Sequence, residues 1–162
     1  MHCIVPVTEE HIPDLNAAFD AIAREKLYLA RTKAPPVEDT AKYVQECIRA
    51  GNPQFVALVD KRVVGWCDVT RKPQDTLAHS GVLGMGVLAA HRGKGLGRAL
   101  MASALNAARE RSFTRVELTV RTDNLRARKL YEYFGFTVEG LCRAYMKVDG
   151  TEIDSYLMAI VW

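Results

Sequence analysis

Apolar positions along the chain recur with two periods, and the switches between them mark the elements. Residues 3–7 are apolar and largely β-branched and predict a first strand. Thr8-Glu9-Glu10-His11 follows as a helix start, with a hydroxyl at the cap and acids near the positive end of the dipole. Leu15, Phe19, Ile22 and Ala23 then share one helical face. Lys33-Ala34-Pro35-Pro36 breaks the chain, and Val37-Glu38-Asp39-Thr40 opens a second helix ending near Ala50-Gly51.

Residues 54–60 and 62–69 predict two strands, joined by a tight hairpin at Asp60-Lys61. After a polar loop over 71–75 a long strand is expected from Leu77 to Leu88. Residues 89–97 are glycine-rich and basic. Leu96, Leu100, Ala104 and Ala107 return to helical spacing, which carries a helix to about Arg111. From Arg115 to Arg121 the pattern alternates, with Val116, Leu118 and Val120 on one side and Glu117 and Thr119 on the other, as in a half-buried strand. Thr122-Asp123 caps a further helix, closed by Gly135. Phe136 starts a final strand pair, with Asp149-Gly150 as the turn between 142–148 and 151–161. The order is β-α-α-β-β-β-α-β-α-β-β, an α+β fold with a mixed sheet. No repeat or linker divides residues 1–162, so one domain is expected.

Composition narrows the function. The net charge of +3 is too small, and the Lys and Arg residues too scattered, to suggest a nucleic-acid partner. Cys3, Cys47, Cys67 and Cys142 are widely spaced and form no zinc pattern, so no metal is expected and the thiols read as reduced. No basic-then-apolar leader opens the chain, and the longest apolar run, 156–162, is far short of a membrane span. A cytoplasmic protein without a membrane partner is the expectation.

The chemistry concentrates at Arg92-Gly93-Lys94-Gly95-Leu96-Gly97, between a strand and a helix. A helix N-terminus leaves backbone N–H groups unpaired, and glycines let an anion approach them, which makes a phosphate site. Arg92, Lys94 and Arg98 surround it with positive charge. A magnesium-holding P-loop needs Ser or Thr after Gly-Lys, and here Gly95 follows Lys94. A dinucleotide pattern over Gly84-Met85-Gly86-Val87-Leu88-Ala89 falls late in a strand and opens no helix.

Arg92-x-x-Gly95-x-Gly97 resembles the acyl-CoA pyrophosphate signature of the GNAT superfamily. Asn124, Ala127, Leu130-Tyr131 and Gly135-Phe136 are similar to its second block, N-x-x-A-x-x-L-Y-x-x-x-G-F. The C-terminal stretch, with Glu139-Gly140, Arg143, Asp149-Gly150, Asp154 and Met158-Ala159, is similar to a bacterial subgroup that acetylates free amino acids and other small amines. The resemblance implies a mixed, mostly antiparallel sheet of about seven strands flanked by four helices, and acetyl-CoA as co-substrate. It implies that Val87, Leu88 and Ala89 pair with the pantetheine arm, that the amides from Arg92 to Gly97, Leu96 included, take the pyrophosphate, and that Asn124 helps hold the cofactor.

Acetyl transfer to nitrogen needs a deprotonated amine, a donor for the developing oxyanion, and a proton for the leaving thiolate. A backbone N–H near Val87 or Leu88 is the candidate donor. Family position makes Tyr131 the candidate acid, although Ala127, Leu130, Tyr131 and Phe134 also form one apolar face that could bury it. Glu117 and His79 are candidate bases, each with a plain alternative: a cross-strand salt bridge and a surface histidine. Glu25, Tyr28 and Arg31 from the first helical region, and Arg143 and Tyr145 from the hairpin, are candidate acceptor residues. The expected activity is N-acetylation of a small primary amine, an amino acid among the options, in a ternary complex. The alternatives are a protein N-terminal or lysine acetyltransferase and a non-catalytic CoA-binding module. Trp162 at a strand end suggests a possible homodimer edge.

Overall fold

The structure, a computed structural model, describes residues 1–162. Seven strands form one sheet: β1 (His2–Pro6), β2 (Gln54–Val59), β3 (Arg62–Arg71), β4 (Ser80–Val87), β5 (Arg115–Arg121), β6 (Thr137–Val148) and β7 (Thr151–Val161). Four helices flank it: α1 (Ile12–Arg24), α2 (Val37–Ala50), α3 (Leu96–Glu110) and α4 (Leu125–Tyr133). The strand order is β1-β2-β3-β4-β5-β7-β6, and every neighbouring pair is antiparallel except β4 and β5. This is the expected α+β architecture and element order.

Two apolar layers hold the sheet. On one face Leu96, Leu100, Met101 and Ala104 of α3 pack on Cys67, Val69, Val116 and Leu118. On the other, Leu15, Ala18 and Ile22 of α1 and Val44 of α2 pack on Val56, Val63 and Trp66. Phe19 stacks on Trp66 with ring centroids 5.4 Å apart. Residues of β3 thus serve both layers, with a register shift against β2 between Val63 and Gly65 resetting the alternation.

The tight turns follow the local chemistry. Asp60 and Lys61 both take positive φ (49° and 63°), as do Asp149 and Gly150 (47° and 84°), the backbone of two-residue hairpins.

β3 runs on to Arg71, past its expected end at Val69, and three other boundaries differ from the pattern-based expectation for local reasons. The long strand begins at Ser80, because Asp75–Leu77 forms a 3-10 turn in which Asp75 Oδ1 accepts the amide of Thr76 at 2.8 Å. Thr8 precedes a 3-10 turn, Glu9–His11, and the helix proper starts at Ile12 with Pro13 in its first turn. Asn124, rather than Thr122-Asp123, caps α4.

The decisive feature is the parallel pair. Strands β4 and β5 are in register over Ser80↔Arg115, Gly81↔Val116 and Val82↔Glu117, and no further. Beyond Val82 they diverge and open the sheet toward their C-terminal ends.

Candidate active site

The split between β4 and β5 is a cleft of about 540 Å³, bounded by the start of α3, by α4 and by the chain after α1. One wall is the bare edge of β4. Lys72 N donates to Ser80 O at 3.0 Å and Leu88 N to Val64 O at 2.9 Å, so the even-numbered amides of β4 face β3. With the β3–β4 register unbroken, Leu83, Met85 and Val87 turn their backbone groups to the opposite side, where β5 has left. The amide of Leu88 is therefore spent on β3, and the amide of Val87 is the open donor of the expected pair. Met85, Gly86 and Val87 line the cleft, whereas Leu88 and Ala89 do not.

The second wall is the start of α3. None of the six amides from Gly93 to Arg98 donates to a backbone carbonyl. Gly93 and Gly95 hold φ of 78° and 83°, which only glycine adopts without strain. Gly97 lets the helices close up, since a Cβ there would lie 3.2 Å from Leu130 Cδ2. Six orphan donors at a helix N-terminus, with open space over Gly95 and a guanidinium beside Gly93, fit a diphosphate.

The cations do not all serve that anion. Arg98 stacks on the Tyr133 ring at 4.1 Å, and Lys94 Nζ donates to Ala90 O at 2.9 Å outside the cleft lining. The amide of Arg92 donates to Ala89 O at 3.3 Å. Its guanidinium turns away from the glycines. Nε donates to Val87 O at 2.8 Å, and Nη1 and Nη2 reach Glu25 Oε2 and Oε1 at 2.9 and 2.6 Å. The Glu25 hydrogen bonds hold the Arg92 pKa above its ordinary value. Arg126, which the motif reading passed over, brings Nη2 within 3.2 Å of where a Gly93 Cβ would stand.

The floor comes from β5 and α4. Asn124 Oδ1 accepts the amide of Ala127 at 3.2 Å, so its carbonyl is the helix cap while the residue lines the cleft. Tyr131 also lines the cleft and is 8% exposed, in contact with the main core. Burial pushes its phenol pKa up, and neighbouring Cys67 adds to the shift. Thr119 and Arg121 line the opposite side. Arg121 is 7% exposed and pairs with Asp123 at two points, 2.9 and 2.6 Å. Its Nη1 donates to Lys26 O at 2.9 Å.

The expected bases are elsewhere. Glu117 lies outside the lining, bridged to Lys72 at 2.5 Å and to Arg115 at 3.0 Å, and Arg115 continues to Glu139 at 2.6 Å. Despite the opposing effect of burial, the hydrogen bonds from Lys72 and Arg115 leave the Glu117 carboxyl below its ordinary pKa. His79 is exposed at the closed end of the β4–β5 pair, where its carbonyl accepts the amide of Thr114 at 3.0 Å. Among the acceptor candidates Tyr28 lines the cleft, under the Arg92 guanidinium at 4.7 Å. Glu25 is engaged by Arg92 outside the lining, and Arg31, Arg143 and Tyr145 are exposed and do not reach it.

Residues that sequence reasoning missed include Arg121, Arg126, Ile22 and Leu29. Arg121 had a signal, as the last polar-face residue of an alternating strand. Arg126 had one too, two places into a helix that faces the glycine loop. Ile22 and Leu29 had none, because apolar residues on a helix face or in a loop read as packing.

Comparison with known proteins gives this geometry a lineage. The Acetyltransferase (GNAT) family profile matches residues 17–136. The chain is 29% identical to the L-amino acid N-acetyltransferase AaaT of Escherichia coli, over 91% of this chain and 92% of that protein. It is 31% identical to the N-alpha-acetyltransferase RimI of Mycobacterium tuberculosis, over 94% and 91%. A phosphinothricin acetyltransferase from Sinorhizobium meliloti, solved in complex with acetyl-CoA, shares the fold with a TM-score of 0.93 at 16% identity, covering 99% of this chain and 88% of that one. The chain belongs to the GNAT family of acetyltransferases.

Proposed function

We propose that the chain transfers the acetyl group of acetyl-CoA to the primary amine of a small molecule, an amino acid or a close relative, by direct attack in a ternary complex. The observation that carries this reading is the charge of the cleft lining, which holds cations and no carboxylate. Lys26, just after α1, pairs with Asp149 at the β6–β7 turn at 2.9 Å outside that lining, and its carbonyl is held by Arg121, which does line the cleft.

The cleft is lined by His91, Arg92, Arg98, Arg121 and Arg126, and by no Asp or Glu. A polycationic acceptor would meet like charge there, whereas an amine carrying its own carboxylate would not. The likeness to AaaT over nine-tenths of both chains points the same way.

In this reading the Val87 amide, at the open edge of β4, is the donor for the carbonyl oxygen. Tyr131, kept protonated by burial, is the acid for the departing thiolate. Proximity of the two bound substrates supplies much of the rate. With no carboxylate lining the cleft, the amine reaches it deprotonated or loses its proton to water.

Peptide N-terminal acetylation is the second reading, and the likeness to RimI favours it. A thiol-release screen with acetyl-CoA against the L-amino acids, polyamines, aminoglycosides, antimetabolite amines and N-terminal peptides separates the two. Turnover of amino acids with none of polyamines is the expected result. Turnover restricted to peptides would replace the first reading by the second.

A further inference from the structure

Arg92 opens the glycine signature, yet its side chain is committed to another element. All three guanidinium nitrogens are engaged within the protein. Nε is on the carbonyl of Val87, and both Nη atoms are on Glu25. The guanidinium also stacks on Tyr28. Glu25 and Tyr28 both belong to residues 25–36, the connection between α1 and α2. That connection supplies Tyr28 and Leu29 to the cleft wall, and its Lys26 pairs with Asp149 at the β6–β7 turn.

The two ends of the connection are anchored differently, and the near half also packs Tyr28 and Leu29 on the core beneath α1. Its far end is tied by Ala34 N to Asp20 Oδ1 at 2.9 Å and by Pro35 O to Asn16 Nδ2 at 3.0 Å. Its near end is held by Arg92, by Arg121 through Lys26 O, and by the exposed pair of Lys26 with Asp149. The Arg92–Glu25 pair is the better shielded of the two ion pairs, with side chains 20% and 26% exposed against 43% and 71%.

We infer that Arg92 is a positioning residue for the acceptor wall: its fork staples Glu25 and Tyr28 to the end of β4, and the cofactor phosphates are left to the main chain and to Arg126. The staple joins the two halves of the cleft. The same short segment, 87–92, presents the open strand edge on one side and fixes the acceptor wall on the other. The inference needs no particular acceptor, only the cleft already described.

The test measures amide hydrogen–deuterium exchange at residues 25–29 and calorimetry with coenzyme A, for wild type, Arg92→Gln, Arg92→Lys and Glu25→Gln. In Arg92→Gln, exchange at 25–29 should rise at least about tenfold while the coenzyme A Kd stays within roughly threefold. Arg92→Lys should fail to restore slow exchange, because a lysine keeps the charge but not the fork. Glu25→Gln should show the same pattern more weakly. In the amino-acid assay, Arg92→Gln should raise the acceptor KM about fivefold or more with the acetyl-CoA KM within roughly threefold. Unchanged exchange at 25–29 together with a tenfold or greater loss of coenzyme A affinity, about 1.4 kcal/mol, would overturn the assignment and return Arg92 to the phosphates. If no amino acid is turned over, the exchange and calorimetry arms still decide the matter, so its failure is separable from that of the proposed acceptor.

Discussion

Tyr43 on α2 donates its hydroxyl hydrogen to Asp68 Oδ2 on β3 across 2.7 Å, and the Tyr43 hydroxyl oxygen lies 2.8 Å from Thr70 Oγ1. Asp68 is 6% exposed, and Gly84 gives it room, since a Cβ there would come within 2.9 Å of its Oδ1. Burial pushes the carboxyl pKa up to about 6, more than the hydrogen bonds from Tyr43 and Gly84 pull it down. A raised folded-state pKa means that the native protein holds a proton the unfolded chain releases. The stability from this group is complete below about pH 4 and is lost as the pH rises through about 6. Denaturation of wild type and Asp68→Asn from pH 4.5 to 8 should therefore show wild type losing roughly 2 kcal/mol relative to the variant. A pH-independent difference would mean that Asp68 is ionised throughout.

Tyr131→Phe removes the candidate acid without vacating its ring, which sits 6.0 Å from that of Phe136. Steady-state kcat on a good amine should fall at least about tenfold, the low side of general-acid effects. Because burial raises the phenol pKa, the wild-type kcat profile should show no alkaline loss from this group below about pH 10. Near-wild-type turnover would take Tyr131 out of the mechanism.

Glu117→Gln and His79→Ala should each retain turnover within about threefold of wild type at saturating substrates. Glu117 is held by Lys72 and Arg115, and His79 lies at the closed end of the strand pair. A drop of two orders of magnitude in either variant would require a water path from the cleft to that residue.

Arg126→Gln should weaken coenzyme A binding by about three- to tenfold and flatten its salt dependence, as expected when one phosphate-facing cation is removed. Calorimetry at low and high salt reads both effects. An unchanged Kd would leave the grip to the backbone amides alone.

Gly86→Ala probes the other side of β4. A Cβ at Gly86 would stand 2.5 Å from Trp66 Cη2 and 3.0 Å from Ile22 Cδ1. Overpacking of this kind costs about 1–3 kcal/mol, so thermal unfolding should begin several degrees lower. An unshifted Tm would show that the Trp66 ring can move aside.

What could be read in advance was whatever is local. The alternation from Arg115 to Arg121, the Asp149-Gly150 turn and the glycines before Leu96 each carry their meaning within a few residues. Strand and loop came out right there, and the glycine loop does open the cleft. What could not be read depends on partners far along the chain. Glu25 and Arg92 are 67 residues apart, and nothing near either one announces the other. Arg121 looks like a solvated strand end until Asp123 and the Lys26 carbonyl close around it. Leu77-Ala78 is apolar and reads as strand, whereas the 3-10 turn over Asp75–Leu77 decides the boundary. Glu117 sits on the polar face of its strand as expected, but register sets it beside two cations rather than at the opening.

The row of free donors from Gly93 to Arg98 belongs to the main chain, and this changes what mutation can do to it. Any residue but proline supplies the same N–H, so drift at Lys94 or Leu96 leaves the donors in place provided that the two left-handed glycines keep the bend. In the proposed reading such a grip is inherited with the fold rather than with particular side chains. Evolution can then rewrite the wall where the amine docks, one substitution at a time, while the handle for the acyl carrier passes on unaltered.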